Sequence, residues 1–179
     1  MDAEGTTLAI DELLLRPWRP ADVPAVLAAC QDPDIARWVT IPQPFLQADA
    51  ETLVRDAEAM WRDGLGAPFA IVDAANDRLL GAVTRFGPDG HQATFGLWLT
   101  PDARGRGVGT RALRAVADWT FATTEAIRLD AFIMVGNDAS DQMVLRAGFQ
   151  REGVLRAWDL HHGGVPVDCT VFSRIRGDR

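Results

Sequence analysis

The glycine-rich stretch LTPDARGRGVGTRAL at residues 99–113 constrains the fold more than any other part of the sequence. It joins the end of a predicted strand to the start of an amphipathic helix, with glycines at alternate positions between 105 and 109. Glycines at a helix N-terminus let backbone N–H groups approach an anion, and the helix itself adds a partial positive charge there. With Arg104 and Arg106 alongside, the stretch predicts an anion-binding loop, although a helix start with solvated arginines has the same pattern.

Two common nucleotide-binding motifs do not fit this loop. A dinucleotide-binding fingerprint reads G-x-G-x-x-G after the first strand of a βαβ unit, whereas this loop reads G-x-G-x-G and follows a meander. A Walker phosphate loop ends in Gly-Lys-Ser or Gly-Lys-Thr, but Gly109 is followed directly by Thr110. The loop therefore predicts an anionic ligand of another class.

Length and composition favour one soluble domain. The chain has 179 residues, of which 47% are hydrophobic, and we expect a single domain over 1–179 with its core at about 8–176. No apolar run approaches the roughly 20 residues that a membrane span needs. The N-terminal segment carries acidic residues where an export signal carries basic ones. We therefore expect a cytoplasmic protein with no membrane partner.

Charge and cysteine usage limit the classes of ligand and partner that we expect. The 18 lysine and arginine residues against 25 acidic residues give a formal net charge of −7, the opposite of a nucleic-acid-binding surface. Such a surface is compatible with a cationic amine substrate. Cys30 and Cys169 lie far apart and lack metal-ligand spacing. We expect reduced thiols, no metal site and no nucleic acid partner.

The spacing of apolar residues predicts an α+β fold, because a period of two indicates strands and a period of three to four indicates helices. The predicted elements are a strand over 8–16 with a break at Asp11 and Glu12, helices over 23–30 and 48–62, strands over 69–72, 79–86 and 93–99, a helix from Gly105, a strand over 127–135, a helix over 139–147, and closing strands over 149–159 and 165–175. The order β-α-α-β-β-β-α-β-α-β-β combines an antiparallel meander with one helical crossover. It predicts a mixed, largely antiparallel central sheet.

Arg104, Gly107 and Gly109 match the pattern Q/R-x-x-G-x-G/A, through which the chain resembles the GCN5-related N-acetyltransferase (GNAT) superfamily. The segment VGNDASDQMVLRAGFQREGVLR at 135–156 is similar to the second motif of that family, N-x-x-S followed by a short helix and Gly-Phe. The segments RPWRPADVPAVL, IPQPF and GGVPVDCTVFSRI resemble the branch that acetylates N-termini of ribosomal proteins, the RimJ/RimL-like enzymes. The likeness covers nearly the whole chain and implies the GNAT fold, in which the sheet splays around acyl-CoA.

The resemblance implies a coenzyme A-dependent N-acetyltransferase with acetyl-CoA as donor. The glycine-rich loop would hold the pyrophosphate, a backbone N–H of the preceding strand would polarise the thioester, and Arg146 would reach the 3′-phosphate. The residues expected to contact the coenzyme are Leu97, Trp98, Leu99, Arg104, Gly105, Arg106, Gly107, Val108, Gly109, Thr110, Asn137, Ser140 and Arg146. Gly96 interrupts the strand, which indicates either a bulge or a packing requirement.

The resemblance also implies direct attack of a primary amine on the thioester. Many relatives place a tyrosine near the departing thiolate, but this chain contains no tyrosine. Ser140 is the expected proton donor, with Asn137 beside it, and Asp168 completes the expected catalytic set. A serine at a helix start also caps backbone N–H groups, so capping is the alternative role of Ser140.

The group that deprotonates the amine has several candidates. Relatives often carry a glutamate where this sequence has Thr94. Asp168 matches an aspartate that is common in the last strand of the branch, and Asp159, His161 and His162 precede it closely. A histidine titrates near neutral pH, whereas an aspartate needs burial or a water relay to accept the proton.

Three aromatic residues have two alternative roles. Trp38, Trp61 and Phe45 either line an acceptor pocket or belong to the core; helical spacing favours the core for Trp61, and a loop position favours the pocket for Phe45. The hypothesis is acetyl transfer to a primary amine on a protein N-terminus, an amino acid or a small molecule. The alternatives are a regulatory module that binds acyl-CoA without catalysis and an enzyme that uses a longer acyl-CoA, as a monomer or a homodimer.

Overall fold

The computed structural model describes residues 6–88 and 90–178. Its strands are Leu8–Ile10 (β1), Leu13–Arg16 (β2), Gly66–Asp73 (β3), Leu79–Phe86 (β4), Gln92–Leu99 (β5), Arg128–Met134 (β6), Gln150–His161 (β7) and Val165–Ile175 (β8), and its α-helices are Val23–Ala29 (α1), Pro33–Trp38 (α2), Gln47–Arg62 (α3), Val108–Thr123 (α4) and Asp138–Arg146 (α5). The strands form one sheet in the order β1-β2-β3-β4-β5-β6-β8-β7. Neighbouring strands are antiparallel except for β5 and β6, which are parallel. The predicted mixed, largely antiparallel sheet is confirmed.

Two elements near the N-terminus differ from the prediction. The strand expected over 8–16 is a tight hairpin, because the break at Asp11 and Glu12 is its turn and Asp11 adopts a φ of 50°. The segment after Cys30 was expected to leave helical structure, but it forms α2. Asp32 caps this helix by accepting a hydrogen bond from the Ile35 N–H at 3.0 Å, and Pro33 suits the first helical position, where no N–H partner is needed.

The sheet is covered on both faces, and alternate residues of β3 enter different cores. Phe69 and Ile71 pack in the cluster that contains the buried face of α4, whereas Ala70 and Val72 pack in the cluster formed with α1 and α3. This alternation follows from the period of two along a strand. Within the described ranges, no helix has the length and apolar character needed to cross a membrane.

The sheet opens between β5 and β6. These strands pair only from Gln92 with Arg128 to Phe95 with Ala131, after which β5 continues beside β4 and β6 continues beside β8. Gly96 pairs in regular register with β4, so the bulge considered at this position is absent. A Cβ on Gly96 would lie 3.0 Å from Cε2 of Phe86, so a side chain at this position would have to displace the edge of that ring.

Candidate active site

A groove of about 730 Å³ occupies the opening between β5 and β6. Its walls are the diverging ends of the two strands, the N-termini of α4 and α5, and helix α2. The predicted contact residues that line it are Leu97, Trp98, Leu99, Arg104, Gly105, Gly107, Val108, Gly109, Thr110, Asn137, Ser140 and Arg146. Two helix N-termini on one cavity favour an anionic ligand there. Arg106 and Asp168 lie outside this lining.

The first two glycines of the loop are required by the backbone. Gly105 and Gly107 adopt φ values of 70° and 74°, and an added Cβ on either would meet nothing within 4 Å. Gly107 is the N-cap of α4, which has no side-chain cap, and the first backbone bond of the helix runs from the Arg111 N–H to the Gly107 carbonyl. The N–H groups of residues 108–110 precede that bond and have no partner within the helix. They are available to an anion in the groove.

Gly109 has a different reason to be glycine. It lies inside α4, where a Cβ would come within 2.5 Å of Sδ of Met143 on α5. The Thr110 hydroxyl lies 3.5 Å from the Met143 carbonyl oxygen, close to the same contact. The small residue therefore lets α4 and α5 pack closely, and this packing brings both N-termini to one groove.

The end of β5 directs backbone groups into the groove. The Thr100 N–H donates to the Leu80 carbonyl on the β4 side. Because backbone polar groups alternate in direction along a strand, Leu97 and Leu99 direct theirs to the opposite side, where β6 has diverged. A carbonyl group of a ligand can thus approach a backbone donor at this position.

Ser140 and Asn137 occupy the start of α5 in distinct roles. Asn137 is the N-cap, since its Oδ1 accepts a hydrogen bond from the Ser140 N–H at 3.2 Å. The capping role considered for Ser140 is therefore wrong. Within residues 6–88 and 90–178, the Ser140 hydroxyl has no hydrogen-bond partner, and the residue lines the groove half-buried. A half-buried hydroxyl of this kind can donate a proton to a ligand.

Arg104 has partners that its motif did not predict. Its guanidinium donates to the Leu99 carbonyl at 3.1 Å, to Asp32 at 2.5 Å and to Asp34 at 3.0 Å. Burial opposes ionisation of Asp32, but the hydrogen bonds from Arg104 and from the Ile35 N–H outweigh it and lower the pKa of that carboxyl. Arg104 therefore joins the loop to the N-terminus of α2, and part of its charge is neutralised there.

The sequence matches the Acetyltransferase (GNAT) domain family over residues 12–150, which include the glycine-rich loop and α5. The chain belongs to the GNAT acetyltransferases. It is 23% identical to the N-acetyltransferase YoaA of Bacillus subtilis (strain 168), covering 94% of this chain and 96% of YoaA. It is 29% identical to the ribosomal-protein-serine acetyltransferase of Escherichia coli (strain K12), covering 73% and 74% of the two chains. Its fold matches that of RimL, a ribosomal L7/L12 alpha-N-protein acetyltransferase solved with coenzyme A, with a TM-score of 0.85 at 20% identity over 95% of this chain and 98% of that one.

The far end of this GNAT groove, away from the glycine-rich loop, is mostly apolar and contains one carboxylate. Its lining residues are Trp38, Thr40, Phe132, Met134, Asp159 and Cys169. Burial, followed by the nearby charges of Asp159 and Asp168, raises the pKa of the Cys169 thiol. Cys30 and Cys169 are both free and buried. In the part of the chain that the structure describes, no group of three or more His, Cys, Asp or Glu residues could hold a metal ion.

The histidines considered as bases contact α2 and the segment after it. Nε2 of His162 lies 2.6 Å from the Ala36 carbonyl oxygen, and Nδ1 of His161 lies 3.5 Å from Oγ1 of Thr40. Neither histidine lines the groove. Because a carbonyl oxygen only accepts, Nε2 of His162 carries the proton in this contact. Helix α2 is thus held at both ends, by Arg104 and by the β7–β8 turn.

Four other residues considered from the sequence lie either in the groove lining or away from it. Thr94 pairs with Phe86 and with β6 before the opening, so it does not line the groove. Trp61 belongs to the core, as its spacing indicated, and its Nε1 donates to a buried carbonyl at 2.9 Å. Phe45 is also in the core, with 5% of its surface exposed, so its expected pocket position is wrong. Trp38 does line the groove.

Sequence reasoning missed the contribution of α2 to the site. The signal was present in QDPD at 31–34, since Asp followed by Pro is an N-cap with a proline at the first helical position. The preceding helix made the same Asp-Pro pair look like a terminator. The partners of Asp168, Arg104 and His162 had no local signal, because each contact joins residues that are distant in sequence.

Proposed function

We propose that this GNAT protein transfers an acetyl group from acetyl-CoA to a primary amine by direct attack of the amine on the thioester. The observation that carries the proposal is that the uncapped, glycine-rich start of α4 and the diverged end of β5 open on one groove. Such a groove suits a ligand with a pyrophosphate at one position and a polarisable carbonyl at another.

The donor is held mainly by backbone groups in this proposal. The N–H groups of residues 108–110 bind the pyrophosphate, and Arg146, which is exposed on the groove wall, reaches the 3′-phosphate. The Leu97 N–H donates to the thioester oxygen and stabilises the charge that develops there. Removing one such donor from an oxyanion site typically costs about a hundredfold or more in turnover.

Proton transfer is assigned to the start of α5. As the amine nitrogen bonds to the carbonyl carbon, the C–S bond breaks and the sulfur takes a proton from the Ser140 hydroxyl. Asn137 orients Ser140 through the hydrogen bond to its backbone N–H. The ammonium releases one proton to water before it attacks, the bonded nitrogen then releases a second proton to water, and Ser140 regains a proton from solvent. Asp159, the carboxylate at the far end of the groove, attracts the cationic amine before it reacts.

The acceptor we propose is the α-amino group of a protein N-terminus. Two similar proteins act on ribosomal proteins according to their names, and the net charge of −7 favours approach of a basic partner over an acidic one. An N-terminal ammonium also carries the positive charge that Asp159 can attract.

The test measures thiol release from acetyl-CoA with peptides that begin with serine or alanine, free amino acids and a small diamine. Each peptide is matched with an N-terminally blocked copy of the same sequence. We expect release with the free peptides and none with the blocked ones, and mass spectrometry should find one added acetyl group at the N-terminus. Tight coenzyme A binding without amine-dependent release would instead support a regulatory module. Release only with longer acyl-CoA donors would contradict the choice of donor.

A further inference from the structure

The edge strand β7 contains an irregularity opposite Asp168. Pairing with β8 is regular at Leu155 with Cys169 and resumes at Asp159 with Val167, so residues 156–158 of β7 face Asp168 alone. Within this bulge Ala157 adopts a φ of 50°, a left-handed conformation that is unfavourable for a residue with a Cβ. The bulge therefore needs support from its surroundings.

The carboxylate of Asp168 supplies that support. Its Oδ1 accepts a hydrogen bond from the Ala157 N–H at 2.8 Å, and its backbone carbonyl accepts one from the Val135 N–H at 2.9 Å. The residue thus ties the bulge of β7 to β8 and to the segment that leads from β6 to α5. The side chain itself is exposed and lies outside the groove lining.

The bulge contains or directly precedes the β7 side chains that lie at the acceptor end of the groove. Trp158, the next residue, stacks on Phe132 with ring centroids 4.8 Å apart, and Phe132 lines the groove. Asp159 follows and also lines the groove. Because the bulge inserts two residues of β7 that have no partner on β8, its local bend sets where Trp158 and Asp159 lie along the groove, and a change in the bulge would displace both side chains.

We propose that Asp168 is a positioning residue for the acceptor: it holds the left-handed turn at Ala157, and through this turn it places Asp159 and the Trp158–Phe132 pair at the groove. This inference rests on the proposed function, because it assigns the amine to the end of the groove that Asp159 lines. It differs from the catalytic role expected from the sequence, in which Asp168 itself accepts the proton.

The test compares Asp168→Asn with Asp168→Ala, using the serine-initiated peptide as acceptor. An asparagine Oδ1 can still accept from the Ala157 N–H, although it cannot serve as a base. We expect Asp168→Asn to keep KM and kcat within about twofold, and Asp168→Ala to raise the peptide KM about tenfold with a smaller change in kcat. Coenzyme A affinity stays unchanged in both variants.

A double variant isolates the backbone effect. Glycine adopts positive φ without the steric cost of a Cβ, so adding Ala157→Gly to Asp168→Ala should restore much of the lost peptide affinity. If Asp168→Asn loses kcat as severely as Asp168→Ala and both lose the acidic limb of the pH profile, Asp168 is the base and the inference is overturned. A KM for Asp168→Ala equal to that of the unmodified protein would also overturn it.

Amide hydrogen exchange at Ala157 separates this inference from the proposed function. Exchange should accelerate in Asp168→Ala and stay slow in Asp168→Asn, whether or not the peptide is acetylated. If the unmodified protein fails to acetylate any peptide, the proposed acceptor is wrong, and the exchange result still decides whether Asp168 holds the turn. Unchanged exchange in Asp168→Ala would refute that role.

Discussion

The two ends of the groove, to which the proposed function assigns the acyl donor and the acceptor amine, are built by different means. The donor end, residues 104–110 with the starts of α4 and α5, presents backbone N–H groups whose directions follow from two left-handed glycines and one close helix contact. The acceptor end, α2 with the β7 bulge and the β7–β8 turn, is shaped by side chains that bridge distant segments. In the proposed function one constant donor is bound by backbone groups, whereas an acceptor site built from side chains can be altered one residue at a time.

The largest effect should come from the donor end, at Gly107. In Gly107→Asp a carboxylate at the anion site should weaken coenzyme A binding about a hundredfold or more, because like charges at close range repel strongly. The matched variant is Gly107→Asn, which has the same shape and the same backbone strain without the charge, and which should lose much less affinity.

Isothermal titration with coenzyme A measures the Gly107 effect. Both variants should melt at similar temperatures, since an added Cβ meets nothing within 4 Å and both residues tolerate a left-handed backbone. Unchanged coenzyme A affinity in Gly107→Asp would show that the loop is not part of the coenzyme site. The contrast between a donor end built from backbone and an acceptor end built from side chains would then fail.

A second, smaller effect is expected where the two ends meet, at Ser140. In Ser140→Ala, kcat should fall about tenfold to a hundredfold, since general acid catalysis contributes on this scale, while coenzyme A affinity stays within about twofold. The fold should be unaffected, because Asn137 supplies the cap of α5. The control Asn137→Ala removes the cap and should lower stability by about 1 kcal/mol. Equal turnover in Ser140→Ala would leave the thiolate without an assigned proton donor.

The features that could be predicted from the sequence differ between the same two ends of the groove. The meander, the crossover helix and the donor loop were predictable, because apolar periods and the glycines at 105 and 107 encode local backbone geometry. Gly109 was expected in the loop, but it lies inside α4, and its contact with Met143 depends on tertiary packing.

The acceptor end was less predictable. Asp168 was identified as important, but its bond to Ala157 depends on an irregular register that no local pattern specifies. Phe45 was misplaced because a loop position suggested exposure, whereas α1 and α3 enclose the ring. Arg104 was expected on the pyrophosphate, and its contact with Asp32 became visible only once α2 existed.

The ion pair between Arg104 and Asp32 joins the two ends of the groove and offers a third, intermediate test. In Asp32→Asn the amide oxygen can still cap α2, but the negative charge of the carboxylate is gone, so less of the Arg104 charge is neutralised. We expect coenzyme A to bind about threefold more tightly and the peptide KM to rise by a similar factor, as expected for a partly exposed ion pair. The control Asp34→Asn should do less, because that carboxylate is 63% exposed. If Asp32→Asn changed the affinities for coenzyme A and for the peptide in the same direction, the result would contradict this role of Asp32, in which it restrains α2 at the acceptor end and neutralises charge at the donor end.

The smallest effect should arise at His162, which contacts α2 without lining the groove. In His162→Ala the bond to the Ala36 carbonyl is lost, and the peptide KM should rise about twofold while kcat and coenzyme A affinity stay near their original values. In His162→Gln a side-chain N–H can replace the ring donor, so much of the effect should be recovered. His161→Ala removes only the 3.5 Å contact to Thr40 and should change less. If His162→Ala abolished turnover and glutamine failed to restore it, the histidine would be the base. The acceptor end would then contribute chemistry as well as shape.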